Sequence, residues 1–207
     1  MRLLFVLFII ITLAADFASA AKEEPPIKTV SVTPVEFSRD TDLIIEPILN
    51  DPDAQYIFEY RWFINDEEVL GEISDIFPGE LLQRGDLLSI EVTPLTPEGE
   101  TLEPFVSLPL ETKNAPPHIT SEPAELLGKT SYTYQVTARD ADEDALHYQL
   151  DEGPEGMTID EETGLLSWTF EEMPQGDFSV TVVVTDDFGG KDAQTFSLNL
   201  SLVQREK

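Results

Sequence analysis

Apolar and polar residues alternate along this chain in short runs, and a period of two predicts strands rather than helices. The runs are "KTVSVTP", "DLIIEPI", "YIFEYRWFI" and "DLLSIEVTPL", then "SYTYQVTA", "ALHYQL", "GLLSWTF", "FSVTVVVT" and "TFSLNLSLV". They are rich in β-branched and aromatic residues, which suit a pleated, half-buried surface. Turn-forming pairs punctuate them: Asn65-Asp66, Pro78-Gly79, Glu98-Gly99, Gly153-Pro154 and Gly189-Gly190. Many short strands at this spacing predict β-sandwiches. In "YRWFINDEEV", Tyr60, Trp62 and Ile64 share one face and Arg61 and Phe63 the other. A tryptophan in such a strand is expected to pin a sandwich core, and Trp168 in "GLLSWTF" has the same expected role.

Domain boundaries follow from the breaks. The segment "ETKNAPPHIT" carries Pro116-Pro117, which cannot sit inside a central strand and stiffens a connector. The fold expected is therefore all-β: two tandem immunoglobulin-like sandwiches, at 27–112 and 118–203, joined by a linker at 113–117. The charged, proline-ended "AKEEPP" at 21–26 reads as a flexible N-terminus, and 204–207 as a tail. The halves echo one another, since "NDPDAQYIFEYRWFIN" and "RDADEDALHYQL" each place an Asp-x-Asp turn ahead of a Tyr-bearing strand.

The first twenty residues break the alternation. "MRLLFVLFIIITLAADFASA" has one Arg, an apolar core from Leu3 to Leu13 and small residues at Ala18 and Ala20, the anatomy of a cleaved secretory signal peptide over 1–20. The apolar stretch is too short to span a bilayer, and no later stretch matches its length. The expected product is exported, to the periplasm or the cell surface, and not membrane-spanning. There is no cysteine, so no disulfide framework is available and the fold stands on its cores. A cysteine-free exported domain suits a bacterial envelope. With 41 Asp+Glu against 12 Lys+Arg the formal charge is −29, which excludes nucleic acid as a partner by repulsion from its phosphates.

No catalytic constellation stands out. His118 falls in the connector and His147 in a strand, too few nitrogen ligands for a zinc site, and the serines carry no nucleophile signature. The expectation is a non-enzyme. Oxygen chemistry is better supplied: "ARDADEDAL" crowds Asp140, Asp142, Glu143 and Asp144 into one turn, and "VVVTDDFGG" sets Asp186 and Asp187 at a strand end. Ca²⁺ takes six to eight hard oxygens, and closely spaced carboxylates offer them. A solvated acidic turn is the competing account.

The second half resembles bacterial putative-Ig and dystroglycan-type cadherin-like repeats through "NAPPHIT", "SEPAELLGKTSYTYQVTARDAD", "LHYQL", "PEGMTIDEETGLLSWTF" and "GDFSVTVVVTDDFGGKDAQTFSLNL". The resemblance implies a seven-stranded extracellular sandwich used for adhesion or binding. It also implies calcium ligands: Asp140 and Asp142 match the Asp-x-Asp turn, Asp186 the acid after the penultimate strand, Asn114 part of the linker motif and Glu122 the acid near the first strand. Asp144 joins them as a further candidate. The linker "TKNAPP" lacks the family's acids, and the block after Gly164 lacks its acidic element, so the resemblance implies one weak Ca²⁺ site at the junction rather than a full multi-ion site. The first half resembles, less specifically, bacterial Ig-like or PKD-like modules through "NDPDAQYIFEYRWFINDEEV" and "GDLLSIEVTP".

The function expected is that of an exported, non-catalytic binding or structural protein. It would make protein–protein contacts as an accessory subunit of an envelope or extracellular assembly, including self-assembly into a filament. The alternative is a carbohydrate-binding protein, whose mark would be a row of exposed aromatic side chains.

Overall fold

The structure, a computed structural model, describes residues 24–123, 130–172 and 174–200. The expected signal peptide at 1–20 and tail at 204–207 lie outside the described residues. Among these there is no α-helix, and no helix long and apolar enough to cross a membrane.

The first half folds as two facing antiparallel sheets. One runs in the order β1 (Ile27–Thr33), β2 (Leu43–Leu49), β5 (Ile76–Phe77). The other runs β4 (Glu67–Glu68), β3 (Ile57–Ile64), β6 (Leu87–Leu95), β7 (Phe105–Val106), with β8 (Leu110–Glu111) also on β6. The β3–β4 turn is Asn65-Asp66, with φ at 51° and 68°. A two-residue hairpin needs this left-handed backbone, and Asn and Asp tolerate it. The expected alternation holds in β3, where Phe58, Tyr60, Trp62 and Ile64 pack inward against the core. That core joins Leu43, Ile45, Trp62, Phe77, Leu82, Leu88, Ile90 and Val92, all buried.

The second half has three antiparallel sheets: β10 (Ser131–Gln135), β14 (Leu165–Thr169), β13 (Met157–Ile159); β12 (His147–Glu152), β15 (Gly176–Thr185), β16 (Lys191–Leu200); and the short pair β11 (Ala138–Arg139), β9 (His118–Ile119). Its core is separate, built on Tyr132, Tyr134, Val136, Leu166, Trp168, Val180, Val182 and Leu198. Two facing-sheet units with their own cores make the chain an all-β protein of tandem immunoglobulin-type sandwiches. Trp62 and Trp168 sit in the two cores, at 1% and 5% exposure. The connector between them is not a free strap, because Thr112 and Ala115 are almost wholly buried.

Candidate functional site

The acidic turn comes first. Asp140 Oδ1 accepts from the backbone N–H of Asp142 at 2.8 Å and of Asp144 at 3.4 Å. Glu143 takes up φ 64° to close the turn, and its own side chain stays exposed. This winding turns Asp142 and Asp144 inward, leaving their side chains 5% and 9% exposed. Asp140, Asp142 and Asp144 each bring a carboxylate oxygen within 4.8 Å of the others.

The second acidic turn approaches the same place from the β15–β16 hairpin. Asp186 Oδ1 accepts from the N–H of Phe188 at 2.7 Å and of Gly190 at 2.8 Å. Its Oδ2 accepts from Asn114 Nδ2 at 2.7 Å. The connector is tied in again where the Ala115 N–H donates to Asp142 Oδ2 at 2.9 Å.

The positive charge comes from the first sandwich. Arg84 lies in the loop between the single 3₁₀ turn, Gly79–Leu81, and β6. Gly85, at φ 87°, turns that loop, and its N–H donates to Thr112 O at 2.9 Å while the Thr112 N–H donates to Asp86 O at 2.8 Å. So held, Arg84 forks onto Asp144: Nη1 pairs with Oδ2 and Nη2 donates to Oδ1 at 3.0 Å. Nη1 also donates to Asn114 Oδ1 at 2.5 Å and reaches Asp142 Oδ2 at 3.5 Å. The guanidinium carbon lies 3.4 Å from the centroid of the Phe188 ring, a cation–π contact. A planar fork matches a carboxylate in two bonds at once, which an ammonium cannot do. Hydrogen bonding to Asp144 holds the guanidinium still more firmly protonated.

Five of the six expected ligands are thus drawn together: Asp140, Asp142, Asp144, Asp186 and Asn114. Glu122 is exposed and takes no part in the cluster. Asp187 turns outward to His147 Nε2 at 3.0 Å. Asp140 Oδ2 is buried without a hydrogen-bond partner, an oxygen a cation would use. Asp142 and Asp144, however, already meet Arg84, and Asp142 also accepts from the Ala115 N–H. Arg84, Phe188 and the connector N–H of Ala115 were not among the expected site residues. The signal for Arg84 was its rarity, a lone base in "LLQRGDLL" of a chain with 12 Lys+Arg.

A second tie crosses the junction, from His118 Nε2 to Asp40 Oδ2 at 3.1 Å. The Lys113 N–H also donates to Phe37 O at 2.8 Å. Burial alone would raise the pKa of both Asp40 and Asp186. Hydrogen bonds from Ser38, His118 and Thr41 to Asp40 outweigh it, as do those to Asp186 from Asn114 and the backbone of Phe188, Gly190 and Gly189, so both lie below the usual carboxylate value. A carboxylate whose folded pKa is depressed adds stability above its unfolded value, near 4, and loses it as pH falls through the folded value. The junction is therefore expected to weaken below about pH 4. Melting curves down the acid range should show it, and Asp186→Asn should melt earlier at neutral pH with a shallower acid limb.

No curated protein matches the chain. Among solved structures it is similar to the human desmocollin-1 ectodomain, at 19% identity over 76% of this chain and 35% of that one, with a TM-score of 0.35. It is also similar to Drosophila N-cadherin EC1-3, at 14% identity over 78% and 60% with a TM-score of 0.37. A third is the fibronectin(III)-like modules of Clostridium thermocellum CbhA, at 13% identity over 86% and 99% with a TM-score of 0.32. The chain spans about a third of the length of the desmocollin structure. The family described as "Putative Ig domain" matches residues 112–201, the segment that holds the second core and every carboxylate of the junction cluster.

Proposed function

We propose that the chain is an exported, non-catalytic binding protein of two modules, near 27–112 and 118–203, held at a fixed angle so that they present one composite surface to a protein partner. The observation that carries this reading is Arg84, an arginine of one sandwich seated among Asp142, Asp144 and Asn114 of the other and its connector. Such a seat couples the modules, and loops and strand edges around it then keep a constant spacing. The partner is an envelope or extracellular protein, and the chain serves as an accessory subunit of that assembly. Immobilised protein should form a saturable complex with a protein fractionated from bacterial envelopes and ignore arrayed glycans. Binding to glycans alone would reverse the assignment. Against the carbohydrate reading stand the burial of both tryptophans and the cover that Arg84 gives one face of Phe188.

Calcium enters this account as a competitor of Arg84. Asp140, Asp142, Asp144, Asp186 and the Asn114 carbonyl are the hard oxygens it would use. With Arg84 in place, Ca²⁺ should raise the melting temperature no more than Mg²⁺ at equal ionic strength. In Arg84→Gln the cluster loses its cation, and Ca²⁺ in the millimolar range should then stabilise the fold selectively, as linkage requires of a ligand that binds the folded state. Equal responses of parent and variant to Ca²⁺ would contradict the competition.

A further inference from the structure

The first sandwich has an open seam on the side away from β4. An apolar cavity of about 250 Å³ runs between its sheets, lined by Val30 and Val32 of β1, Trp62, Phe105 of β7, Leu110 of β8 and Leu108 between those two strands. The two sheet edges flanking it differ. On the β7–β8 side, Pro104 and Pro109 interrupt the strand and remove backbone donors. β1 is a seven-residue strand with β2 on one side and, among the described residues, no strand on the other. It has no proline within it, and its inward Val30 and Val32 face the seam rather than a charge. Sheet edges are ordinarily defended by prolines, bulges or inward charges, because unpaired N–H and C=O groups template another strand. This edge has such defences only at its ends, Lys28 and a register shift between Ile27 and Thr29 at one and Pro34 just beyond the other.

We propose that β1 accepts an extended segment of the protein partner, added as a further strand along its free edge with alternate apolar side chains in the seam. This deepens the binding reading above and depends on it. The charge argues what the segment is. Glu36 follows β1 and Glu103 flanks the β7–β8 side, both exposed, whereas Glu111 is paired with Lys113 at 3.0 Å and Lys28 is the one base on β1. On a chain of −29 these favour a strand whose outward residues are basic, and they oppose a second copy of this chain. Backbone pairing supplies affinity in this mode, and pockets for alternate side chains supply selectivity.

The test uses the purified chain and three labelled ten-residue peptides, read by fluorescence anisotropy at fixed ionic strength. One alternates Val with Lys, a second has Glu for Lys, and a third is the basic peptide N-methylated at alternate residues. The basic peptide should bind saturably. The acidic one should not, and N-methylation should abolish binding although the charge is unchanged. Leu108→Asn should weaken the basic peptide about tenfold, the loss expected for one apolar contact. That variant is safe for folding because Leu108 is 84% exposed. Binding that survives N-methylation or ignores Leu108→Asn would show attraction to acidic surface alone and overturn the proposal, as would no binding or self-association in sedimentation. If the peptides fail while the chain still forms a saturable complex with an isolated envelope protein, the seam is wrong and the binding reading stands.

Discussion

Replacing Trp62 by alanine is expected to cost about 3–5 kcal/mol, the range for removing a large buried aromatic. Trp62 is 1% exposed and its ring centroid lies 4.9 Å from that of Phe77, so its removal opens the space between the sheets where the seam already thins the packing. Its Nε1–H donates to Ser74 O at 3.0 Å, so the variant also leaves a carbonyl without its partner. Trp168→Ala should cost a similar amount. It takes Phe170 and Phe178 as ring neighbours at 5.0 and 5.2 Å and donates to Glu155 O at 3.1 Å. The two cores share no buried residue, so the losses should be independent and nearly additive in denaturant titrations. A loss below about 1 kcal/mol for either would mean that its side chain is not a core pin.

The second large effect is expected at Gly190. A Cβ there would overlap Asp186 Oδ2 and lie 2.9 Å from both Asn114 Nδ2 and Pro116 Cα. Gly190→Ala must therefore push Asp186 off Asn114, at about 1–3 kcal/mol, the usual cost of overpacking. Gly189→Ala is the control. Gly189 has φ 93° but open space around it, so alanine there strains the backbone without placing an atom against Asp186 or Asn114. The Asn114 side-chain amide resonances should shift to solvent-like positions in Gly190→Ala and keep their place in Gly189→Ala. Unmoved resonances in Gly190→Ala would mean that Asn114 and Asp186 are not joined.

The longer strands were legible because alternation over seven to ten residues, as in Leu87–Leu95 and Gly176–Thr185, has only one regular explanation. Strands of two or three residues carry too few positions to display a period. Ile76–Phe77, Phe105–Val106 and Met157–Ile159 were accordingly not read, although each ends a sheet. At the junction, local spacing brought Asp140, Asp142, Asp144 and Asp186 into consideration, and the resemblance added Asn114. Neither could find Arg84, because its partners are 30 to 60 residues away and the contact exists only once the sandwiches meet. Nor does sequence separate a carboxylate awaiting a metal from one already paired.

If Arg84 serves as the junction's own cation, small-angle X-ray scattering of the parent and Arg84→Gln, each in chelator and in millimolar Ca²⁺, should separate the two proteins. The parent should give one scattering profile in both conditions. Arg84→Gln should give a broader distribution of intermodule distances in chelator, which narrows when Ca²⁺ is added. A parent whose profile tightens only with Ca²⁺, or an Arg84→Gln profile matching the parent in chelator, would contradict that role of Arg84.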